Sequence, residues 1–329
     1  MDFSTKNEEK MLDEQNEKSD NFQTDKIILI PYANKDRANT GVNIRNDDKR
    51  VNIYLKNCCI ALVSAKYYNS DCDVALVTNI DLPEKYKKLL YVKDIKIIKV
   101  PFDDFTFEDK YLWNLAFYKF CALDYVVKNY NYRYLSYMDS DVYVQSSFRD
   151  IWEECKLSIL LYDINHGLQV KDYKIIIDEF NAFIGTNSLI THYGGEFFAA
   201  NRDTAKIFID KCKRIYHKMI DKNFTTTKGD EFILSLAASE MKECIKNAGA
   251  YIFRFWTGEF RLVSTCYIFN PVTVLHMPAE KEHGMLILYD RFIRKNKLPH
   301  KEQVWRICHL KNMQLKIKVK SLLKAILRR

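Results

Sequence analysis

The stretch Tyr134-Leu135-Ser136-Tyr137-Met138-Asp139-Ser140-Asp141 constrains this chain most. A short, aromatic-rich apolar run has the length of a strand buried inside a sheet. It stops at two carboxylates, and Val142-Tyr143-Val144 then resumes the apolar pattern. Side chains of an extended strand alternate faces, so Asp139 and Asp141 are expected on one side at the strand's C-terminal edge. Open α/β sheets bind ligands at that edge. Two carboxylates held there repel each other unless a cation joins them, which makes the pair a candidate hard-metal site serving a substrate phosphate. A bare D-x-D is also compatible with an acidic turn. The apolar strand before it and the helix-like Phe148-Arg149-Asp150-Ile151-Trp152 after it favour the site.

Other segments supply the rest of an α/β pattern. Residues 26–32 (Lys-Ile-Ile-Leu-Ile-Pro-Tyr) are a near-continuous apolar run, as in an interior parallel strand. A helical pattern over 51–66, a strand over 73–79, a short helix over 82–91 and a strand over 95–100 follow. Strand, helix, strand, helix, strand implies right-handed parallel crossovers and a nucleotide-binding half. An amphipathic helix over 113–128 precedes the D-x-D strand, and a further strand is expected over 157–162. Residues 170–190 carry no clear pattern. Residues 201–218 have helical spacing, 251–255 are strand-like, Trp256-Thr257-Gly258-Glu259 is a turn, and 272–276 form a last short strand ending in His276.

A chain of 329 residues, 47% hydrophobic and 14% aromatic, can bury one substantial α/β core. The expected organisation is a polar, disordered lead over 1–24, one catalytic domain over 25–309, and a basic amphipathic helix over 310–329. The formal charge of +8 does not point to nucleic acid, because seven Lys/Arg and no acid lie in residues 310–329 and the body is near neutral. In that tail Leu315, Val319, Leu322, Leu323 and Ile326 share one helical stripe, the pattern of a helix lying on an anionic membrane surface; docking on its own domain is the alternative. Nine cysteines without a C-x-x-C pair read as reduced, buried thiols. No signal peptide or bilayer-spanning run is recognised, so a cytoplasmic protein on the inner face of the membrane is expected.

Three further motifs carry chemistry. Tyr193-Gly194-Gly195-Glu196-Phe197-Phe198 pairs two glycines, which let backbone approach a ligand, with apolar anchors; a Gly-Gly turn is the alternative. Asp230-Glu231 opens a helix, where the dipole favours acids in any case. His276 ends the last strand, with Lys281 following.

The aromatic strand, D-x-D and S-F-x-D-I-W exit resemble the metal and nucleotide-sugar motif of glycosyltransferases with the GT-A fold. The glycine segment is similar to that of blood-group-type α-retaining galactosyl and N-acetylgalactosaminyl transferases. The order of motifs through His276 resembles the lipopolysaccharide galactosyltransferase and glycogenin-type family. Over roughly residues 26–284 this likeness implies a Rossmann-like domain with a mixed, mostly parallel sheet. It implies Mn2+ or Mg2+ on Asp139, Asp141 and His276. It also implies a nucleotide-sugar donor, expected to be UDP-linked, touching Tyr32, Asn34, Lys119, Asp139, Gly194, Gly195, Glu196 and Lys281. Asp230 would hydrogen-bond the sugar, and Glu231 would sit beneath the anomeric carbon as nucleophile or stabiliser. If the enzyme inverts, the carboxylate near the acceptor becomes the general base. Glu196 stands where a small residue is usual, which should disfavour an N-acetyl group and offer an acceptor to sugar hydroxyls. The glycine and the proline-tryptophan that usually frame the lysine are missing around Lys281. The expected acceptor is a glycan or glycolipid, with hexose transfer from UDP-galactose or UDP-glucose.

Two other classes fit less well. Aspartyl-phosphate phosphatases also place D-x-D after a strand, but with Thr or Val where Tyr143 stands and on the first strand of the fold. A membrane-associated glycan-binding protein on a decayed transferase scaffold would keep the cleft without the turnover.

Overall fold

The computed structural model describes residues 24–35, 49–109, 111–164, 170–186, 189–257 and 271–310, together with 319, 323 and 326. Strand β1 (Lys26–Tyr32) shows why its sequence reads as a continuous apolar run. Ile28, Ile30 and Tyr32 enter the core on one face of the sheet and Ile27 and Leu29 the core on the other. Helix α1 (Arg50–Tyr68), β2 (Asp73–Thr78), α2 (Glu84–Val92) and β3 (Lys96–Lys99) follow, and both crossovers return to parallel pairing. Next come a 3-10 turn (Asn114–Phe117), α3 (Tyr118–Asn129) and β4 (Tyr134–Met138), which lies parallel to β1 on its other side.

Strand β5 (Val142–Val144), α4 (Arg149–Cys155), β6 (Ile159–Asp163), α5 (Val170–Ile184) and β7 (Tyr193–Asn201) continue the chain. Then come α6 (Arg202–Asp221), α7 (Asp230–Ser239), β8 (Ile245–Asn247), β9 (Ile252–Arg254), β10 (Val274–His276), α8 (Gly284–Lys295) and α9 (Lys301–Ile307). The main sheet has seven strands in the order β3-β2-β1-β4-β7-β6-β8. β7 is antiparallel to both neighbours and the other pairs are parallel, so every strand but β7 runs one way. The protein is therefore a Rossmann-like α/β fold with a mixed, mostly parallel central sheet. Asn201 starts α6, its side chain accepting a 3.0 Å hydrogen bond from Thr204 N, a cap worth about 1 kcal/mol.

A second sheet, β5-β10-β9, stands beside the first. Helix α1 locks it in place through buried polar groups: Ser64 Oγ accepts from Val144 N at 3.1 Å, and Asn57 Nδ2 donates to Lys281 O at 3.0 Å.

Several expectations change. The Gly194-Gly195 pair lies inside β7, so the alternative of a Gly-Gly turn falls. Residues 170–184, left without a pattern, form α5; β8, α8 and α9 were not anticipated. The first turn of the helix expected over 113–128 is 3-10. The lead up to residue 23, most of the loop after β1 (36–48), Gly258-Glu259, Cys266, and Leu315 and Leu322 of the tail lie outside the described residues. The eight described cysteines are all free thiols, seven of them buried. Among the described residues no helix is long and apolar enough to cross a membrane.

A candidate metal centre in an acidic cleft

Strand β4 ends at Met138, and Asp139 and Asp141 lie in the turn that carries the chain from the main sheet to β5. Strand alternation therefore does not align them; the turn between sheets does. Two cross-strand bonds fix that turn: Asp139 N donates to Glu196 O of β7 at 3.1 Å, and Met277 N donates to Asp141 O at 3.0 Å. Pairing of β5 with β10 sets His276 opposite Val142. One oxygen or nitrogen from each of Asp139, Asp141 and His276 falls within 4.8 Å of the others. Asp141 and His276 are buried, and Asp139 opens to the cleft.

These residues fit a divalent cation. Asp141 Oδ2 is buried and accepts no hydrogen bond of good geometry, although Lys281 Nζ stands 2.7 Å and His276 Nε2 3.3 Å away. His276 Nδ1 meets Glu196 Oε1 at 3.2 Å. A carboxylate behind a ring nitrogen is the usual support of a metal-binding histidine, fixing its tautomer and basicity. The carboxylates of Asp139, Asp141, Glu196, Asp230 and Glu231 crowd against the cations of Lys119, Lys281 and Arg254. With His276 neutral, the cluster is short of two positive charges, which one divalent ion supplies.

The electrostatics follow from this crowding. Burial opposes charge on His276, but Asp141 and Glu196 overcome it and raise the imidazole to about 9. Burial pushes the Asp230 carboxyl up to about 6 against the pull of Lys119. Burial acts the same way on Glu231, yet the Arg254 charge and a His192 contact bring it down to about 2. Asp141 and Glu196 are held well below the usual carboxylate range, Asp141 by Lys281 and His276, Glu196 by Arg254 and His276, all against burial.

Around this centre a cleft of about 340 Å³ is lined by Tyr32, Asn34, Lys119, Asp139, Asp141, Gly195, Glu196, Asp230, Glu231, His276 and Lys281, so all but one of the residues singled out in the sequence meet in one place. Gly194 is the exception and lies just behind it. Lys119, on α3, puts Nζ 2.9 Å from Asp139 Oδ1 and 2.9 Å from Asp230 Oδ2, and donates to Gly195 O at 2.7 Å. Tyr32 is buried with its ring 5.6 Å from that of Tyr54. Asn34 is clasped through its backbone by the Asn79 amide, at 3.0 and 2.8 Å.

The glycines have a packing reason. A Cβ on Gly194 would overlap the Glu196 carboxylate and come 2.8 Å from Arg254 Nη2. A Cβ on Gly195 would overlap the Asp230 carboxylate and come 3.0 Å from Lys119 Nζ. The pairing of β6 with β7 also jumps here, from Leu161 opposite Phe198 to Tyr162 opposite Gly194, so β7 bulges where it meets the cleft.

Glu196 departs from its expected role. It is fully buried, and Arg254 donates to both its oxygens, Nε to Oε1 at 2.7 Å and Nη2 to Oε2 at 2.6 Å, while His276 holds the first. Its oxygens are spent inside the protein and do not offer an open acceptor to sugar hydroxyls.

Sequence inspection missed Arg254 and His192. Arg254 Nη2 also donates to Glu231 Oε1 at 2.7 Å, and His192 Nε2 lies 3.0 Å from Glu231 Oε2. An isolated arginine in a strand-like stretch gives no local signal of three hydrogen bonds to two distant carboxylates. Helix α5 has a supporting part: Glu179 accepts from Thr226 Oγ1 at 2.5 Å and from Thr227 Oγ1 at 2.6 Å, steadying the loop before α7. That loop turns at Gly229, whose φ of +62° suits glycine and whose Cα faces Trp113. Beside Lys281, buried Glu280 accepts from Gly284 N at 3.0 Å, meets His309 Nδ1 at 3.1 Å and bonds Thr257 Oγ1.

Comparison with known proteins returns no family: no protein-family model matches the chain, and no curated protein matches it. Fold and geometry define an α/β protein whose Asp139–Asp141–His276 cluster can hold a metal ion.

Proposed function

We propose that this protein is a cation-dependent GT-A glycosyltransferase that moves a hexose from a nucleotide sugar to a glycan or lipid-linked acceptor. One observation carries it: the Asp139, Asp141 and His276 cluster opens into the same cleft as two lysines and the Asp230-Glu231 pair. Leaving diphosphate, cation and reacting sugar need those three kinds of group side by side. The mixed oxygen and nitrogen donor set suits Mn2+, with Mg2+ the alternative.

A bound divalent cation would neutralise charge on the departing diphosphate. The chain's own groups do the rest. Lys281 is placed to pair with a phosphate oxygen, because its ammonium already lies against the ligand Asp141. Tyr32 and Asn34, at the tip of β1, would receive base and ribose, uridine by resemblance. Lys119 holds Asp139 and Asp230 in register, and Asp230 would take a hydrogen bond from a sugar hydroxyl. Glu231, kept ionised by Arg254, supplies negative charge where the anomeric carbon becomes positive. Retention of configuration and a UDP-galactose or UDP-glucose donor follow from the resemblance alone.

The C-terminal segment suits an enzyme working on lipid-linked acceptors at the cytoplasmic face of a membrane. Val319, Leu323 and Ile326 are helical and exposed, and seven lysines and arginines lie in residues 310–329.

The test is release of UDP from UDP-galactose and UDP-glucose with Mn2+ present. Asp141→Ala should cut it at least about 100-fold, as removal of a principal metal ligand requires. A protein that neither binds nor cleaves any nucleotide sugar with Mn2+ would end the proposal.

A further inference from the structure

We infer that Arg254 is a positioning residue that couples the cation site to Glu231, so that cation affinity depends on a side chain that is not a ligand. The inference rests on the cation-site part of the proposed function and needs no sugar chemistry.

A chain of close polar contacts links the cation site to Glu231. It passes from Asp141 to His276 at 3.3 Å, from His276 to Glu196 at 3.2 Å, from Glu196 to Arg254 through two hydrogen bonds, and from Arg254 to Glu231 at 2.7 Å. Its links come from five separate elements: the β4–β5 turn, β10, β7, β9 and α7. None is close in sequence to the next, so only the fold brings them together.

Each link has a chemical requirement. For His276 to ligate through Nε2, its Nδ1 must carry the proton and donate it to an acceptor. Glu196 is that acceptor, and it is fully buried. A buried carboxylate stays ionised only when paired. The guanidinium of Arg254 meets that need with two parallel bonds, which also fix the plane of the carboxylate and hence the angle at which His276 is held. Lysine has a point charge and cannot fix that plane. The same Nη2 that bonds Glu196 Oε2 also bonds Glu231 Oε1, so the two carboxylates share one donor group. Movement of one therefore changes the hold on the other.

Direct Mn2+ titration of the full chain, followed by the electron paramagnetic resonance of the free ion, tests this. Arg254→Met should weaken Mn2+ binding by about 10–100-fold, the range seen when the partner behind a metal-binding histidine is removed. Arg254→Lys should recover part of that loss. Glu196→Gln, of equal size and able to fold without a buried charge, should weaken binding similarly while its far-UV circular dichroism stays that of the unaltered protein. Unchanged Mn2+ affinity in folded Arg254→Met and Glu196→Gln overturns the coupling and leaves the proposed transferase standing. An unaltered protein that binds neither Mn2+ nor Mg2+ overturns both. Mn2+ coupling in a protein that cleaves no nucleotide sugar upholds the inference and removes the transferase.

Discussion

Lys281 reaches Asp141 inside the protein: its ammonium nitrogen stands 2.7 Å from Oδ2, and both side chains are almost wholly shielded from solvent. An ammonium and a divalent cation thus compete for one carboxylate. Replacing Lys281 by Met should tighten Mn2+ binding a few-fold, because the competitor is gone. It should weaken UDP binding in the presence of Mn2+ by about 10-fold or more, the value of one charge-assisted contact. Isothermal titration of metal and then nucleotide reads both signs. A loss of both affinities together would assign Lys281 to the cation site instead of to the diphosphate.

The two glycines of β7 should resist even the smallest side chain. Gly194→Ala drives a methyl into the Glu196–Arg254 pair and Gly195→Ala into Asp230 beside Lys119. Each should cost about 1–3 kcal/mol, the range for overpacking a filled interior, measured by urea unfolding. Both should also blunt cation binding or turnover beyond what the stability change explains.

Asp230 and Glu231 are adjacent and titrate in opposite senses. The Asp230 carboxyl is raised from 3.8 to about 6, so its contribution to stability is full below the unfolded value and is lost as pH rises from about 4 through 6. The Glu231 carboxyl is lowered from 4.5 to about 2, so its contribution is full above the unfolded value and is lost as pH falls from about 4.5 towards 2. Shifts of this size correspond to roughly 3 kcal/mol each. Thermal melts of cation-free protein should show Asp230→Asn removing a decline between pH 4 and 6. Glu231→Gln should soften the loss on the acid side. Identical pH profiles for the variants and the unaltered protein would contradict the assignment of these groups.

Glu280 ties three segments to the wall of the cleft: Thr257 after β9, Gly284 at the start of α8, and His309 at the threshold of the C-terminal segment. Glu280→Ala leaves the Gly284 N–H and the Thr257 hydroxyl without this acceptor. Each orphaned group costs about 1–3 kcal/mol, which should appear as a lower unfolding midpoint. Hydrogen exchange should rise first in the opening turn of α8. Exchange unchanged there would mean that Glu280 does not hold the helix start.

How much of this was legible in the chain differs from residue to residue. Strands β1 and β2 were readable because burial on both faces writes itself into uninterrupted apolar runs. The meeting of Asp139 and Asp141 was anticipated, but for the wrong local reason. Strand alternation was expected, and a turn between two sheets does the work. Glu196 looked like an open acceptor because its partner Arg254 lies 58 positions away and no periodicity announces a pair formed across that distance. His192 and Glu179 were invisible for the same reason. Helix α5, which holds the loop before Asp230, was legible in principle, since Ile176, Phe180 and Phe183 recur at helical spacing and are the residues it buries.

The crossing from β4 to β5 makes the aspartate turn a seam, with the seven-stranded sheet on one bank and the three-stranded sheet on the other. His276 sits on the far bank and Asp139 at the edge of the near one. Any ion gripped by both is a rivet through that seam, fastening two layers that otherwise meet through side-chain packing and a few backbone bonds. Chelation should then loosen the joint itself: melting in EDTA should lose the joint's cooperativity as well as several degrees, with β9 and β10 parting before β1 to β4.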